Sequence, residues 1–81
     1  MNFRLTQRAE RDYTALSPAL QARVDKQLML LVRNLRHPSL QAKKYDEARD
    51  VWQGRVTRDY RFYFQIDEET YVILTITKHP K

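Results

Sequence analysis

Three arginines fall within seven positions of "VWQGRVTRDYRFYF", at Arg55, Arg58 and Arg61, and a histidine, His79, follows near the end of the chain. A guanidinium presents a planar fork of donors that matches phosphate oxygens. Imidazole moves a proton near neutral pH. Two arginines and a histidine in one place can bind an anion, stabilise charge developing on it and protonate a leaving oxygen. That chemistry depends on whether the chain brings them together.

Strand side chains alternate between faces, so parity in the numbering sorts them. In "VWQGRVT", "YRFYFQI" and "YVILTIT" the even positions include Trp52, Val56, Tyr60, Phe62, Phe64, Ile66, Val72, Leu74 and Ile76. They form the expected dry face. The odd positions include Gln53, Arg55, Arg61, Tyr63, Gln65, Thr75 and Thr77, with His79 continuing the series. They form the expected wet face. Pairing Val56 with Tyr60 leaves Thr57-Arg58-Asp59 as a turn and sets Arg55 opposite Arg61. Pairing Ile66 with Val72 leaves a turn inside "DEETY" and sets Arg61 opposite Thr77 and Tyr63 opposite Thr75. His79 then lies diagonally from Arg61, roughly 7–8 Å away between backbones. Like charges directly opposed on a sheet repel by up to about 1 kcal/mol, and an anion between them reverses that sign. The alternative is a solvated face whose arginines pair with Asp59, Asp67 or a loop acid.

The elements that must position this face are short. "NFRL" reads as a strand with Phe3 and Leu5 on one side. Thr6 is placed to cap a helix over residues 7–16, with Ala9, Tyr13 and Leu16 as its apolar stripe. Ser17 and Pro18 start a second helix over 18–35, with Leu20, Val24, Leu28, Leu31 and Leu35 buried. The two form an antiparallel hairpin. Residues 36–50 read as a long polar connection without regular structure. The expected fold is α+β: an N-terminal strand, then a helical hairpin packed on one face of an antiparallel sheet of about four strands. Gly54, the sole glycine, points inward and makes room for a neighbour.

Composition narrows the rest. The 81 residues suit one domain, 1–81, and carry fifteen Lys and Arg against ten Asp and Glu, a net charge of +5 that favours a polyanionic partner. There is no cysteine, which excludes disulfides and thiolate metal sites and fits a reducing compartment. No signal peptide or membrane span is evident, so the expected location is the cytoplasm. There is no zinc spacing, glycine-rich phosphate loop or nucleophile elbow, so neither metal nor small-molecule cofactor is expected. Asp67, Glu68 and Glu69 read as a solvated turn, and His37, before a proline, as positional. Lys43, Lys44, Arg58, Tyr63, Gln53, Lys78 and Lys81 are the candidate polyanion-binding set around the arginines, with Lys78 pointing to the far face at its strand end.

The order strand, helical hairpin, "HPSLQAKKYD", then "RVTRDYRFYFQID" followed by a strand and "KH" resembles the RelE/ParE superfamily of bacterial toxins over nearly the whole chain. The resemblance implies the toxin of a type II toxin–antitoxin pair, inhibited by a cognate antitoxin protein. Many RelE-like members cleave mRNA on the ribosome without a metal, the 2′-hydroxyl attacking the adjacent phosphate. By that resemblance Arg61 holds the scissile phosphate, Arg55 is a basic position of the preceding strand, His79 is the general acid, Lys44 matches a loop lysine, the polyanion-binding set becomes RNA-binding, and Tyr63 is of a type that stacks a base. Gln53 stands where RelE itself has a lysine, and "HPK" stands where many active members carry an aromatic tail. The alternatives are a ParE-like inhibitor of DNA gyrase or topoisomerase, a catalytically weak RNA- or partner-binding relative, and a nonspecific basic protein.

Overall fold

In a computed structural model that describes residues 1–79, the chain forms two helices and a mixed five-stranded sheet. In chain order these are β1 (Asn2–Leu5), α1 (Gln7–Thr14), α2 (Pro18–Arg33), a 3-10 turn (Pro38–Leu40), β2 (Lys43–Asp46), β3 (Val51–Arg55), β4 (Tyr60–Asp67) and β5 (Thr70–Lys78). The strand order is β1-β5-β4-β3-β2. β1 runs parallel to β5, and the other pairings are antiparallel.

The helix starts follow from their caps. The Thr6 hydroxyl accepts from the Ala9 amide at 3.1 Å. The Ser17 hydroxyl accepts from the Leu20 amide at 3.3 Å, with Pro18 opening α2. Both helices end two residues earlier than expected, α2 at Arg33. Val24, Leu28 and Leu31 of α2 and Ala9 of α1 bury against Val56, Phe62, Phe64, Tyr71, Ile73 and Ile76 of the sheet. At about 25 cal/mol per Å2 of apolar area removed from water, this cluster is the main favourable contribution to folding. Gly54 pairs with Phe62 in register, and a methyl group there would run into the Phe62 ring.

Three expectations need correction. The connection over 36–50 is not structureless: it holds the 3-10 turn and β2, which makes the sheet five-stranded rather than four. β2 is polar because it is an edge strand, where lysines discourage pairing with another chain. The sheet is also mixed rather than antiparallel. Finally, alternation fails within β5. Register slips by one between the pairs Tyr63–Thr75 and Phe64–Ile73, with Leu74 as the extra residue. Tyr71 and Ile73, not Val72 and Leu74, therefore join Ile76 in the core. The turn tightens as a result: Asp67 pairs with Thr70, leaving Glu68-Glu69 as the loop, with Glu68 at φ 55°.

The bulge has a local cause. β1 covers β5 only from Thr70 to Ile73. There the chain turns into α1, and the Thr6 hydroxyl donates to the Leu74 carbonyl at 2.8 Å. Beyond that point Asp12 of α1 takes over the edge. Its Oδ2 accepts from the Ile76 amide at 3.0 Å and from the Thr75 hydroxyl at 2.5 Å. A carboxylate thus stands in for the missing strand, as buried amides require a partner.

Candidate functional site

The antiparallel registers place the candidate residues in rows across the sheet. Arg55, Arg61 and Thr77 form one row, on β3, β4 and β5. Lys43, Gln53, Tyr63 and Thr75 form the next. Residues directly opposed in such pairs share a face, so both rows lie on the side away from Phe62 and Phe64. The expected opposition of Arg55 and Arg61 is present. Tyr60 pairs with Lys78, and the His79 amide donates to the Asp59 carbonyl at 2.6 Å, which ties the end of β5 to the β3–β4 turn.

Arg61 is held by that turn. Its Nη1 donates to the carbonyls of Thr57 at 2.6 Å, Tyr60 at 3.0 Å and Arg58 at 3.1 Å. Three partial negative charges on one nitrogen fix the guanidinium and ease its repulsion by Arg55. Nε and Nη2 take no acceptor among the described residues, so one edge of the fork stays available. Neither Arg55 nor Arg61 has a carboxylate partner among the described residues; the ion pairs there involve Arg8, Lys44 and Arg49. An arginine pair with no internal counter-charge is suited to an external anion.

The other candidates divide. Lys43 is exposed and lies on the arginine face. Arg58 is exposed in the turn. Lys44 pairs with Trp52 and lies on the opposite, helix-facing side. Its ammonium sits 5.2 Å from the Trp52 ring centroid, 2.5 Å from Asp50 and 3.8 Å from Glu47. The Asp50 hydrogen bond holds its pKa above the usual lysine value. Lys44 is thus a structural cation rather than part of the groove. Gln53 has the right face but is only 9% exposed, so it offers little contact to a ligand. Lys78 shares the helix-side face with Tyr60, yet it also borders a groove on the arginine side. Lys81 lies outside the described residues. His37 is positional: its Nδ1 accepts from the Ser39 amide at 3.1 Å and caps the 3-10 turn.

The bulge makes this face less uniformly wet than alternation implies. Val51 and Val72 are buried on it, and Leu74 lines an open groove with Tyr45 and Tyr63. The Tyr45 and Tyr63 rings meet edge to face, 4.8 Å between centroids. Burial pushes the Tyr63 phenol pKa up, the Tyr45 phenol adds to this, and nearby Arg61 works against it.

One positioning residue escaped the sequence reading. Gln27 of α2 is fully buried. Its Nε2 donates to the Arg55 carbonyl at 2.8 Å and the Ser39 carbonyl at 3.1 Å, and its Oε1 accepts from the Ser39 hydroxyl at 3.3 Å. One turn earlier, Arg23 donates to the Val56 carbonyl at 3.3 Å. Together they clamp the end of β3 that presents Arg55. The signal was present, since Gln27 lies three residues after Val24 and four before Leu31, within the buried stripe.

The model of the family described as ParE toxin of type II toxin-antitoxin system, parDE, matches residues 3–80. No curated protein sequence matches the chain. Among solved structures, a YoeB/ParE toxin from Agrobacterium tumefaciens superposes with a TM-score of 0.82 at 13% identity, covering 99% of this chain and 100% of that one. The isolated Escherichia coli RelE toxin superposes at 0.77 with 16% identity, over 98% of this chain and 84% of that one. These two show the shared fold. A chain of the RelBE2 toxin–antitoxin complex of Mycobacterium tuberculosis superposes at 0.77 with 28% identity, over 96% of each chain.

Proposed function

Since this chain belongs to the ParE toxin family of type II toxin–antitoxin systems, we propose that it arrests growth as a metal-independent endoribonuclease acting on ribosome-bound mRNA. One observation carries the reading: Arg55 and Arg61 are directly opposed and have no carboxylate partner among the described residues, and Arg61's strand pairs with β5, which ends at Lys78, one residue before His79. In the proposed reaction the 2′-oxygen forms a bond to the adjacent phosphorus and the bond from phosphorus to the 5′-oxygen breaks. The 2′-hydroxyl proton passes to solvent, and the His79 imidazolium gives a proton to the departing oxygen. The products are a 2′,3′-cyclic phosphate and a 5′-hydroxyl. Arg61, anchored through Nη1, offers its free edge to the phosphate, and Arg55 shares the charge that develops. A cognate antitoxin is the proposed protein partner, as several of the similar solved structures are toxin–antitoxin complexes.

Arg61→Ala and His79→Ala are expected to relieve growth arrest on expression while the protein stays folded, and mapping of mRNA 5′ ends should show cleavage lost in both. Full toxicity of both variants would refute the mechanism. A second reading, inhibition of a DNA topoisomerase, draws on the turning of Arg61 toward its own turn carbonyls and on the family's description. A DNA-damage response without mRNA cleavage would establish it instead.

A further inference from the structure

The groove beside the arginine row is not used by the proposed mechanism. Its floor is aromatic and aliphatic, with Tyr63, Val51 and Leu74, and Tyr45 stands over it. Tyr45 is 63% exposed although it packs edge-on against Tyr63. Arg8, Arg49 and Lys78 edge the groove against a single carboxylate, Asp46. Arg49 lies 3.7 Å from Asp46 and Arg8 4.0 Å from Asp12, both at the range of an ion pair, so Lys78 is the rim cation with no carboxylate partner among the described residues.

Position along β4 adds a second argument. Tyr63 follows Arg61 by two residues on the same face, a step of roughly 6.6 Å at about 3.3 Å per residue. That is the scale of one nucleotide. A phosphate held on the arginine row leaves its neighbouring base above Tyr63 and beside Tyr45. A flat aromatic with a cationic rim is how proteins hold unpaired bases, and any base stacks there because each has a π-face.

We infer that Tyr45 and Tyr63 form a base-stacking subsite for single-stranded RNA, one residue pair along the sheet from the phosphate-binding arginines. The inference rests on the RNA reading above and specifies how that substrate is held. It assigns Tyr45, on β2 rather than in the arginine-bearing hairpin, a contact with substrate. The excess of cations on the rim and the continuity with the arginine row favour RNA over an apolar peptide in this groove.

The test uses the full chain and short 2′-O-methyl oligoribonucleotides, which lack the attacking hydroxyl and so stay intact. Binding is read by fluorescence anisotropy for an oligonucleotide bearing all its bases and for others lacking one base at each position in turn. Tyr45→Ala should weaken binding of the complete oligonucleotide by about five-fold or more, the lower range for one base–aromatic stack. Tyr45→Phe should restore it. One abasic oligonucleotide should bind wild type and Tyr45→Ala equally. Arg61→Ala should weaken binding of all of them. If Tyr45→Ala leaves the complete oligonucleotide unaffected, or weakens complete and abasic ones alike, the subsite is overturned while the arginine site stands. If wild type binds none of them, the subsite is overturned, while the cleavage reading stands or falls on the mapping of mRNA 5′ ends. An acidic helical peptide that binds wild type but not Tyr45→Ala, with RNA binding unchanged, overturns the subsite in favour of a protein ligand.

Discussion

At the scale of single residues, the arginine pair depends on a glycine that never touches it. Gly54 precedes Arg55 and faces the opposite way, into the Phe62 ring. Any Cβ there must displace that ring, and Phe62 is fully buried between Phe64 and the helices. Overpacking of this kind costs about 1–3 kcal/mol. Gly54→Ala should therefore lower the melting temperature by several degrees, since about 1 kcal/mol shifts a domain of this size by roughly 4–8 °C. Phe62→Leu in the same chain should return part of the loss, because the two substitutions share one volume. A thermal melt of the two single variants and the double variant checks this. Strictly additive losses would show that the ring is not what constrains position 54.

At the scale of elements, the first hairpin was legible because everything that sets its register lies within it. The three-residue turn, the aromatic alternation and the inward glycine all agree, so Arg55 opposite Arg61 follows from local sequence. β5 was not legible, because its bulge at Leu74 is imposed from the other end of the chain. The Thr6 hydroxyl donates to the Leu74 carbonyl, and Asp12 accepts from the Thr75 hydroxyl and the Ile76 amide where β1 has ended. Nothing in "YVILTIT" signals this, and an aliphatic run tolerates either parity. β2 escaped for a different reason: an edge strand carrying lysines has no hydrophobic period to detect. The Asp12 contact makes its own prediction. Hydrogen bonds to a charged acceptor contribute about 1.5–3 kcal/mol, and Asp12 accepts two. Asp12→Ala should destabilise the fold by about 2 kcal/mol in a denaturant titration. It should also raise hydrogen exchange at the Ile76 amide more than at Phe62. Uniform loss of protection would instead mean that Asp12 acts on the whole fold and not on this edge.

At the scale of the whole molecule, three cations gather on one face of the sheet. Asp46, Glu47 and Asp50 cluster around Lys44 and Arg49, and Asp12 lies by Arg8. Most other cations have no carboxylate partner among the described residues; of these, Arg55, Arg61 and Lys43 stand together on the sheet side away from the helices. A net charge of +5 spread evenly would bind any polyanion weakly and through many interchangeable contacts. A gathered cluster makes a sharper claim, because a few positions should carry the salt dependence. For single-stranded RNA the logarithm of affinity falls with the logarithm of salt by about 0.7 per phosphate neutralised. Arg61→Ala should make that slope shallower by about 0.7, and Arg55→Ala should do the same. Arg33→Ala, an exposed arginine at the end of α2, should leave it unchanged. Equal changes at all three positions would mean that RNA meets a diffuse basic surface, and the phosphate site on β3 and β4 would lose its support.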